Sequence, residues 1–92
     1  MSKLAISSTL IAGCYSIRSN SIADHRGEFF RAYCEEELKS FLADRRIMQI
    51  NVSRTNVPGT IRGLHFQRAP AAETKLVRCL RGKVFDVAVD LR

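Results

Sequence analysis

The sequence has few of the features that mark secreted or membrane-embedded proteins. It contains three cysteines, an odd number, without the CxxC spacing or the density of a disulfide scaffold. We therefore expect three reduced thiols in a cytoplasmic protein, where they behave as small apolar side chains. No apolar run approaches the roughly 20 residues that cross a bilayer, so no membrane-spanning segment is expected. Internal repeats and low-complexity tracts are also absent.

Length and composition favour one small folded domain. The chain has 92 residues, of which 46% are hydrophobic and 26% charged, and these proportions exclude disorder as the default. The charge is unbalanced, because 15 Lys and Arg face 9 Asp and Glu and give a formal net charge of +6. Such an excess favours an anionic partner, which is a nucleic acid, a membrane surface or a phosphorylated small molecule. Charge alone leaves all three open.

Turn residues divide the first third of the chain into short strands. Residues 4–22 combine β-branched and apolar side chains with Ser and Thr, and Gly13 interrupts them. This pattern predicts one or two strands. The run from Asp24 to Gly27 has the composition of a turn, and residues 28–33 are typical of the next strand.

One segment, residues 35–43, has the pattern of a helix. It begins with three glutamates, which suit the positive end of the helix dipole. Its apolar side chains follow the i, i+3, i+4 spacing of one helix face, at Leu38, Phe41 and Leu42.

After the helix the apolar period changes to two, which is typical of strands. The predicted strands span residues 47–53, 60–67, 75–80 and 84–91. In the first of them the amides of Gln49 and Asn51 lie opposite an apolar face. Such a strand fits either the wall of a polar cavity or an exposed sheet edge, and periodicity leaves both open.

The predicted elements define an all-β fold with one short helix. Short strands separated by turns favour a sandwich or barrel of jelly-roll type. The predicted strand 84–91 runs to the end of the sequence, and nothing after it covers its apolar side chains. Because an open hydrophobic edge promotes aggregation, we expect a half-barrel that another chain completes, or a sequence that is a fragment.

Five short motifs occur in one order along the chain. They are Asp24-x-Arg26-Gly27-x-Phe29, Gln49-x-Asn51-x-Ser53, Gly59-x-x-Arg62-Gly63-Leu64-His65-x-Gln67, Lys75-Leu76-Val77-Arg78 and Gly82-x-Val84-x-Asp86-Val87-x-Val89-Asp90. Their order and spacing resemble those of the dTDP-4-dehydrorhamnose 3,5-epimerases, a family with the cupin fold. Each motif alone is short, so the resemblance depends on all five occurring in register. It covers residues 4–92 but only about the first half of a family member, which implies that residues 1–92 are the N-terminal part of a single cupin-like domain.

The resemblance implies roles for eight side chains. It implies that His65 removes a proton from a sugar carbon beside a 4-keto group, and that Lys75 and Arg62 stabilise the resulting enolate and hold the substrate. It implies substrate contacts for five more residues: Arg26, Phe29, Arg31, Gln49 and Asn51. Many family members carry Glu at the Arg31 position, so a different nucleotide preference is expected.

The resemblance also implies a substrate and a partner. The substrate is dTDP-4-keto-6-deoxyglucose, used in dTDP-rhamnose biosynthesis. The family is a homodimer in which the N-terminal strands contribute to the partner's site, and it needs no metal or redox cofactor. The family's general acid lies beyond Arg92, so we expect the chain alone to have weak or no activity, since losing a general acid costs about 10²–10⁴-fold in rate.

The residue types fit this chemistry on physical grounds. A proton beside a ketone becomes acidic only when the enolate is stabilised, so the site needs a base and a positioned cation. Imidazole titrates near neutral pH, which suits His65 as the base. Lys75 lies one strand and one turn further along the chain, so it can face the same cavity. Strict alternation would place Arg62 and His65 on opposite faces, whereas a bulge at Gly63 would bring them together.

Three alternative functions would make different demands on the sequence. A non-catalytic nucleotide-sugar-binding or dimerisation module would keep the same N-terminal half. A nucleic-acid-binding domain would need aromatic side chains interleaved with a basic face, whereas the five Phe and two Tyr occupy scattered, mainly core-like positions. A metal-dependent cupin would need a second histidine after His65, and Phe66 and Gln67 follow instead, so we expect no metal.

Overall fold

A computed structural model describes residues 3–92 of the chain. The chain divides into two compact units, Met1–Ile50 and Asn51–Arg92. The strands and the helix that the structure assigns to the described residues all lie in the first unit.

The first two strands form an antiparallel pair. Strand β1 (Leu4–Ser8) pairs with β2 (Tyr15–Ser19), with Ile6 opposite Ile17. Gly13 lies in the connecting turn with a φ of 85°, a left-handed conformation that favours glycine. Of the one or two strands predicted around this glycine, two are present.

The next two strands form a short hairpin. Strand β3 (Ile22–Asp24) pairs antiparallel with β4 (Gly27–Phe29), and Asp24 lies opposite Gly27 across the turn. The predicted turn is therefore confirmed. The predicted strand 28–33 is wrong in its extent, because Phe29 pairs with the first residue of β3 and no residue of β3 lies opposite the positions that follow.

Helix α1 (Glu35–Leu42) ends one residue earlier than predicted. Ala43 has a φ of 55°, outside the helical range, and its backbone N–H donates to the carbonyl of Lys39 at 2.8 Å. The three glutamates occupy the first turn, where the exposed N–H groups of the helix favour negative charge.

The helix and the first strand supply the core of the first unit. Leu4 of β1 and Leu38 of α1 are the buried apolar residues, at 4% and 2% exposure. Tyr15 of β2 contacts Phe41 of α1 edge-to-face, with ring centroids 4.7 Å apart. The predicted apolar stripe of the helix therefore faces the strands.

The second unit, Asn51–Arg92, consists of extended chain and turns. Val57 and Thr60 close one turn, in which the Val57 carbonyl accepts from the Thr60 hydroxyl at 2.7 Å. Arg68 and Ala71 close another, with the Ala71 N–H 2.7 Å from the Arg68 carbonyl.

The four strands predicted after the helix are not formed in this structure. Residues 47–53, 60–67, 75–80 and 84–91 carry no ladder hydrogen bonds among the residues described. A strand forms only when its backbone pairs with a neighbouring strand. The alternation of apolar residues in these segments indicates only which side chains a neighbouring layer would cover.

At the level of fold class, the structure agrees with the prediction. Among residues 3–92 it has two small antiparallel sheets and one short helix, which is consistent with an all-β class. Within residues 3–92 no helix combines the length and the apolar character needed to span a membrane.

Candidate functional site

The predicted site residues occur in both units. The first unit contains Arg26, Phe29, Arg31 and Gln49, and the second contains Asn51, Arg62, His65 and Lys75. Gln49 and Asn51 are both exposed, so the amide groups that distinguish their strand pattern are open to solvent.

Arg26 is held at the tip of the β3–β4 hairpin. Its guanidinium lies 2.7 Å from Oδ2 of Asp24, and Oδ1 of the same carboxylate accepts from the Arg26 backbone N–H at 2.8 Å. The hydrogen bonds from Arg26 lower the pKa of Asp24, and the same pairing raises the pKa of Arg26. The turn therefore presents a fixed cation to solvent.

Arg31 is paired with a residue that sequence reasoning missed, Glu37. The Arg31 Nη1 lies 2.9 Å from Oε2 of Glu37, and this hydrogen bond is the main reason that the pKa of Arg31 is raised. The other oxygen of Glu37 accepts the backbone N–H groups of Lys3, at 2.8 Å, and Leu4, at 3.1 Å. One carboxylate thus joins the start of β1 to the arginine beyond β4.

Phe29 lies beside this junction. Its side chain is 62% exposed, and the Lys3 ammonium lies 5.6 Å from its ring centroid, within cation–π distance. The first unit therefore places an exposed aromatic ring beside the ammonium of Lys3, an arrangement suited to a planar, anionic ligand such as a nucleotide.

In the second unit, Gly63 makes room for the His65 ring. Gly63 has a φ of 101°, and a Cβ at this position would lie 3.2 Å from Nδ1 of His65. Glycine is therefore favoured both by the backbone conformation and by the approach of the imidazole. The irregular backbone expected at Gly63 is present, but it interrupts an unpaired segment rather than bulging from a strand.

The two predicted cations of the second unit have polar neighbours. Arg62 donates to the hydroxyl of Thr55 at 3.1 Å, and the Lys75 ammonium lies 3.7 Å from Oε1 of Glu73. Within Asn51–Arg92 the structure gives no hydrogen bond or ion pair between His65 and Lys75. Their assignment as base and cation stays a prediction.

The charge excess of the protein is concentrated in the second unit. Residues 51–92 contain eight Lys and Arg against three Asp and Glu, a net +5 of the +6 carried by the chain. The described residues contain no group of three or more His, Cys, Asp or Glu that could hold a metal ion. Most of the basic surplus therefore lies in the same unit as His65, and a surplus of this sign favours an anionic ligand.

Comparisons with known proteins identify the family. Residues 8–92 match the sequence profile of the dTDP-4-dehydrorhamnose 3,5-epimerases. An epimerase of that name from Sinorhizobium fredii (strain NBRC 101917 / NGR234) is 42% identical over 92 residues, which is 100% of this chain and 47% of the relative. The chain belongs to the dTDP-4-dehydrorhamnose 3,5-epimerase family.

Two further relatives with the same name extend this finding. The Salmonella typhimurium protein is 39% identical over 85 residues, covering 91% of this chain and 46% of that protein. The Methanothermobacter thermautotrophicus protein is 39% identical over 92 residues, covering 100% of this chain and 49% of that protein. The chain spans about half the length of the curated relatives it matches. No solved structure matches it significantly.

Proposed function

We propose that residues 1–92 form the N-terminal part of a single cupin-type jelly-roll domain that binds a dTDP-sugar and inverts the carbons beside its 4-keto group. The observation that carries this proposal is the family match, which runs through residues 8–92 and includes all eight predicted site residues. The relatives that match over the same region are named dTDP-4-dehydrorhamnose 3,5-epimerase.

In the proposed reaction, a ring nitrogen of His65 takes a proton from the carbon beside the ketone. The electron pair of the broken C–H bond moves onto the carbonyl oxygen and forms an enolate, which the Lys75 ammonium and the Arg62 guanidinium stabilise. An acid in the remaining half of the domain donates a proton to the carbon from the opposite face, which inverts the stereocentre, and His65 releases its proton to solvent. The concentration of positive charge in residues 51–92 supports this role, since it favours the enolate over the neutral ketone.

The first unit supplies contacts for the nucleotide in this proposal. Arg26 and Arg31 offer guanidinium groups to the diphosphate, since the planar N–H fork matches phosphate oxygens. Phe29 offers a ring face to the thymine, and the exposed amides of Gln49 and Asn51 offer hydrogen bonds to sugar hydroxyls. The exposure of Phe29, together with that of Ile22 opposite it at 60%, supports a homodimer in which the β3–β4 hairpin enters the partner's site.

The jelly-roll architecture is supported by the apolar face of residues 84–91. Phe85, Val87, Val89 and Leu91 alternate along this segment, with exposures between 50% and 95%. Side chains of this kind are stable only when another layer covers them. The curated relatives are about twice as long, and their remaining half is the proposed cover.

A second candidate function is a non-catalytic module that binds the nucleotide sugar or supports dimerisation. It is favoured by the exposure of four predicted binding residues, Arg26, Phe29, Gln49 and Asn51. A module of this kind would keep the binding residues but lack a general acid from the other half.

One experiment separates the two functions. The chain, assembled with a polypeptide corresponding to the half of the Sinorhizobium fredii relative that it does not match, is incubated with dTDP-4-keto-6-deoxyglucose in heavy water, and the sugar is analysed for deuterium at the carbons beside the ketone. Label above that of a protein-free sample supports the epimerase. Nucleotide-sugar binding without label supports the module, and the absence of both binding and label contradicts both functions.

A further inference from the structure

We infer that Glu37 is a positioning residue that holds Arg31 for the anionic part of the bound nucleotide, an inference that rests on the function proposed above. The structural basis is the group of residues that begins at the Glu37 carboxylate and continues through Lys3 to the Phe29 ring, which we call the Glu37 cluster: Lys3, Phe29, Arg31 and Glu37.

Both oxygens of the Glu37 carboxylate are engaged. One accepts two backbone N–H groups at the start of β1, and the other accepts from Nη1 of Arg31 at 2.9 Å. The Glu37 side chain is only 16% exposed. Hydrogen bonds to an ionised, partly buried carboxylate are stronger than those between neutral groups, so the position of the Arg31 fork is well defined.

The neighbouring glutamates of the same helical turn make no comparable junction. Glu35 lies 3.8 Å from Arg46, and both of these side chains are largely exposed, at 69% and 79%. Glu36 is exposed as well. The helix dipole would favour a carboxylate at any of these positions, so it does not explain the contacts that Glu37 makes with β1 and Arg31.

Arg31 is fixed at both ends and still accessible. Its backbone carbonyl accepts the hydroxyl of Ser19 at 2.6 Å, while Glu37 holds one nitrogen of its guanidinium. The guanidinium has five N–H donors in a planar fork, and the Arg31 side chain is 37% exposed. The fork is therefore positioned before a ligand arrives, and part of it can be reached from solvent, which lowers the entropy cost of binding an anion.

The Glu37 cluster also contains an aromatic ring, that of Phe29, on which a nucleotide base can stack. The Lys3 backbone N–H donates to Glu37, and the ammonium of the same residue lies 5.6 Å from the centroid of the Phe29 ring. The cluster contains two cations, Lys3 and Arg31, and one carboxylate, so its net charge is positive, and the ring beside the Lys3 ammonium is exposed. A nucleoside diphosphate matches both features, since its base can stack on the ring and its phosphates can accept from the cations.

The test compares Glu37→Gln with the matched control Glu36→Gln in the full chain. Glu37→Gln keeps the shape of the side chain and an acceptor for the β1 N–H groups, but it removes the charge that holds Arg31. We expect dTDP to bind about tenfold more weakly to Glu37→Gln, the change expected for one loosened charge-assisted hydrogen bond. Thymidine, which lacks the diphosphate, should bind as it does to the unaltered chain. Glu36→Gln should leave both affinities unchanged.

A second variant covers the case in which Glu37→Gln fails to fold. Arg31→Lys keeps the positive charge but loses the fork, and it should show the same selective loss of dTDP affinity. In the unaltered chain, dTDP should also shift the ¹⁵Nε resonance of Arg31. This shift should not appear when thymidine is added.

The inference is overturned if dTDP and thymidine lose affinity equally, or if neither loses any, because Glu37 would then have a structural role only. Failure of the proposed function has a different signature. In that case the unaltered chain binds no dTDP, and this inference falls with the proposed function.

Discussion

At the scale of single residues, the basic side chains are held by acids close in sequence. Arg26 pairs with Asp24, Lys75 with Glu73, and Arg92 with Asp90. Exposed pairs of this kind contribute little to stability, but they limit the orientations available to each cation. A ligand phosphate then meets cations that are already oriented, which suits an anion-binding surface.

The pairing of Asp24 with Arg26 predicts an acid-dependent change in the β3–β4 hairpin. The hydrogen bonds from Arg26 hold the pKa of Asp24 below its usual value. The pairing is therefore complete above the unfolded-state pKa and is lost as the pH falls through the lowered, folded-state pKa. A ¹³C NMR titration of the Asp24 carboxyl should show a midpoint below the usual range, and Arg26→Gln should raise it. An unchanged midpoint in Arg26→Gln would contradict this pairing, and Arg18→Gln serves as the control.

The close approach of Gly63 and His65 predicts a second residue-level effect. A methyl group at Gly63 would meet Nδ1 of His65 at 3.2 Å, whereas a methyl group at Gly59 would meet nothing within 4 Å. Both glycines have positive φ, at 101° and 79°, so Gly63→Ala and Gly59→Ala both introduce backbone strain of about 1–3 kcal/mol. Only Gly63→Ala should shift the ring resonances of His65 in an NMR spectrum. Equal shifts in the two variants would show that strain alone is responsible.

The motifs identified the predicted site residues but not Glu37. Arg26, Arg62, His65 and Lys75 stand out because each lies in a short pattern of defined spacing. Glu37 contacts Arg31, six positions away, and the backbone of Lys3 and Leu4, 34 and 33 positions away, and the two residues before it are also glutamates. A pattern read along the chain contains no signal for such a contact, so a three-dimensional structure was needed to find it.

At the scale of elements, local signals predicted structure well and distant pairing was not predictable. The helix and the hairpin turn depend on neighbouring residues, and both form close to the predicted positions. The predicted strands 60–67, 75–80 and 84–91 depend on partners distant in sequence, and they remain unpaired. Alternation of apolar residues indicates that a segment suits a strand, but it does not supply the neighbouring strand.

The small core of the first unit predicts a large effect for one substitution. Leu38→Ala removes a side chain that is 2% exposed, and it should lower the free energy of unfolding by about 2–5 kcal/mol. Leu10→Ala removes the same atoms from a side chain that is 107% exposed, so it should change the free energy by less than about 0.5 kcal/mol. Urea unfolding followed by circular dichroism measures both. Similar losses of unfolding free energy in the two variants would contradict the assignment of Leu38 to the core.

At the scale of the whole molecule, the distribution of exposed apolar side chains is uneven. Leu4 and Leu38 are buried in the first unit, whereas every residue of the second unit is exposed. A segment in which every second side chain is apolar and exposed is suited to pairing with another polypeptide. The relatives are about twice as long, and their additional residues are the proposed cover of the apolar side chains of residues 84–91.

This distribution predicts a change in amide hydrogen exchange on assembly. In the chain alone, the amides of residues 84–91 should exchange faster than those of β1 and β2, because they have no ladder partner. We expect these amides to become protected when a polypeptide corresponding to the half of the Sinorhizobium fredii relative that this chain does not match is added. Unchanged exchange at residues 84–91 after mixing would contradict the proposed half-barrel.

The account depends most on His65 as the base that removes the sugar proton. The chain has two histidines, so His25→Gln is a matched control for His65→Gln. The decisive measurement is the rate of deuterium incorporation from heavy water into dTDP-4-keto-6-deoxyglucose. It is made with the chain assembled with a polypeptide corresponding to the unmatched half of the Sinorhizobium fredii relative. We predict that His65→Gln lowers this rate about 10²–10⁴-fold, while His25→Gln leaves it unchanged. A His65→Gln variant that exchanges as fast as the unaltered protein would contradict the account.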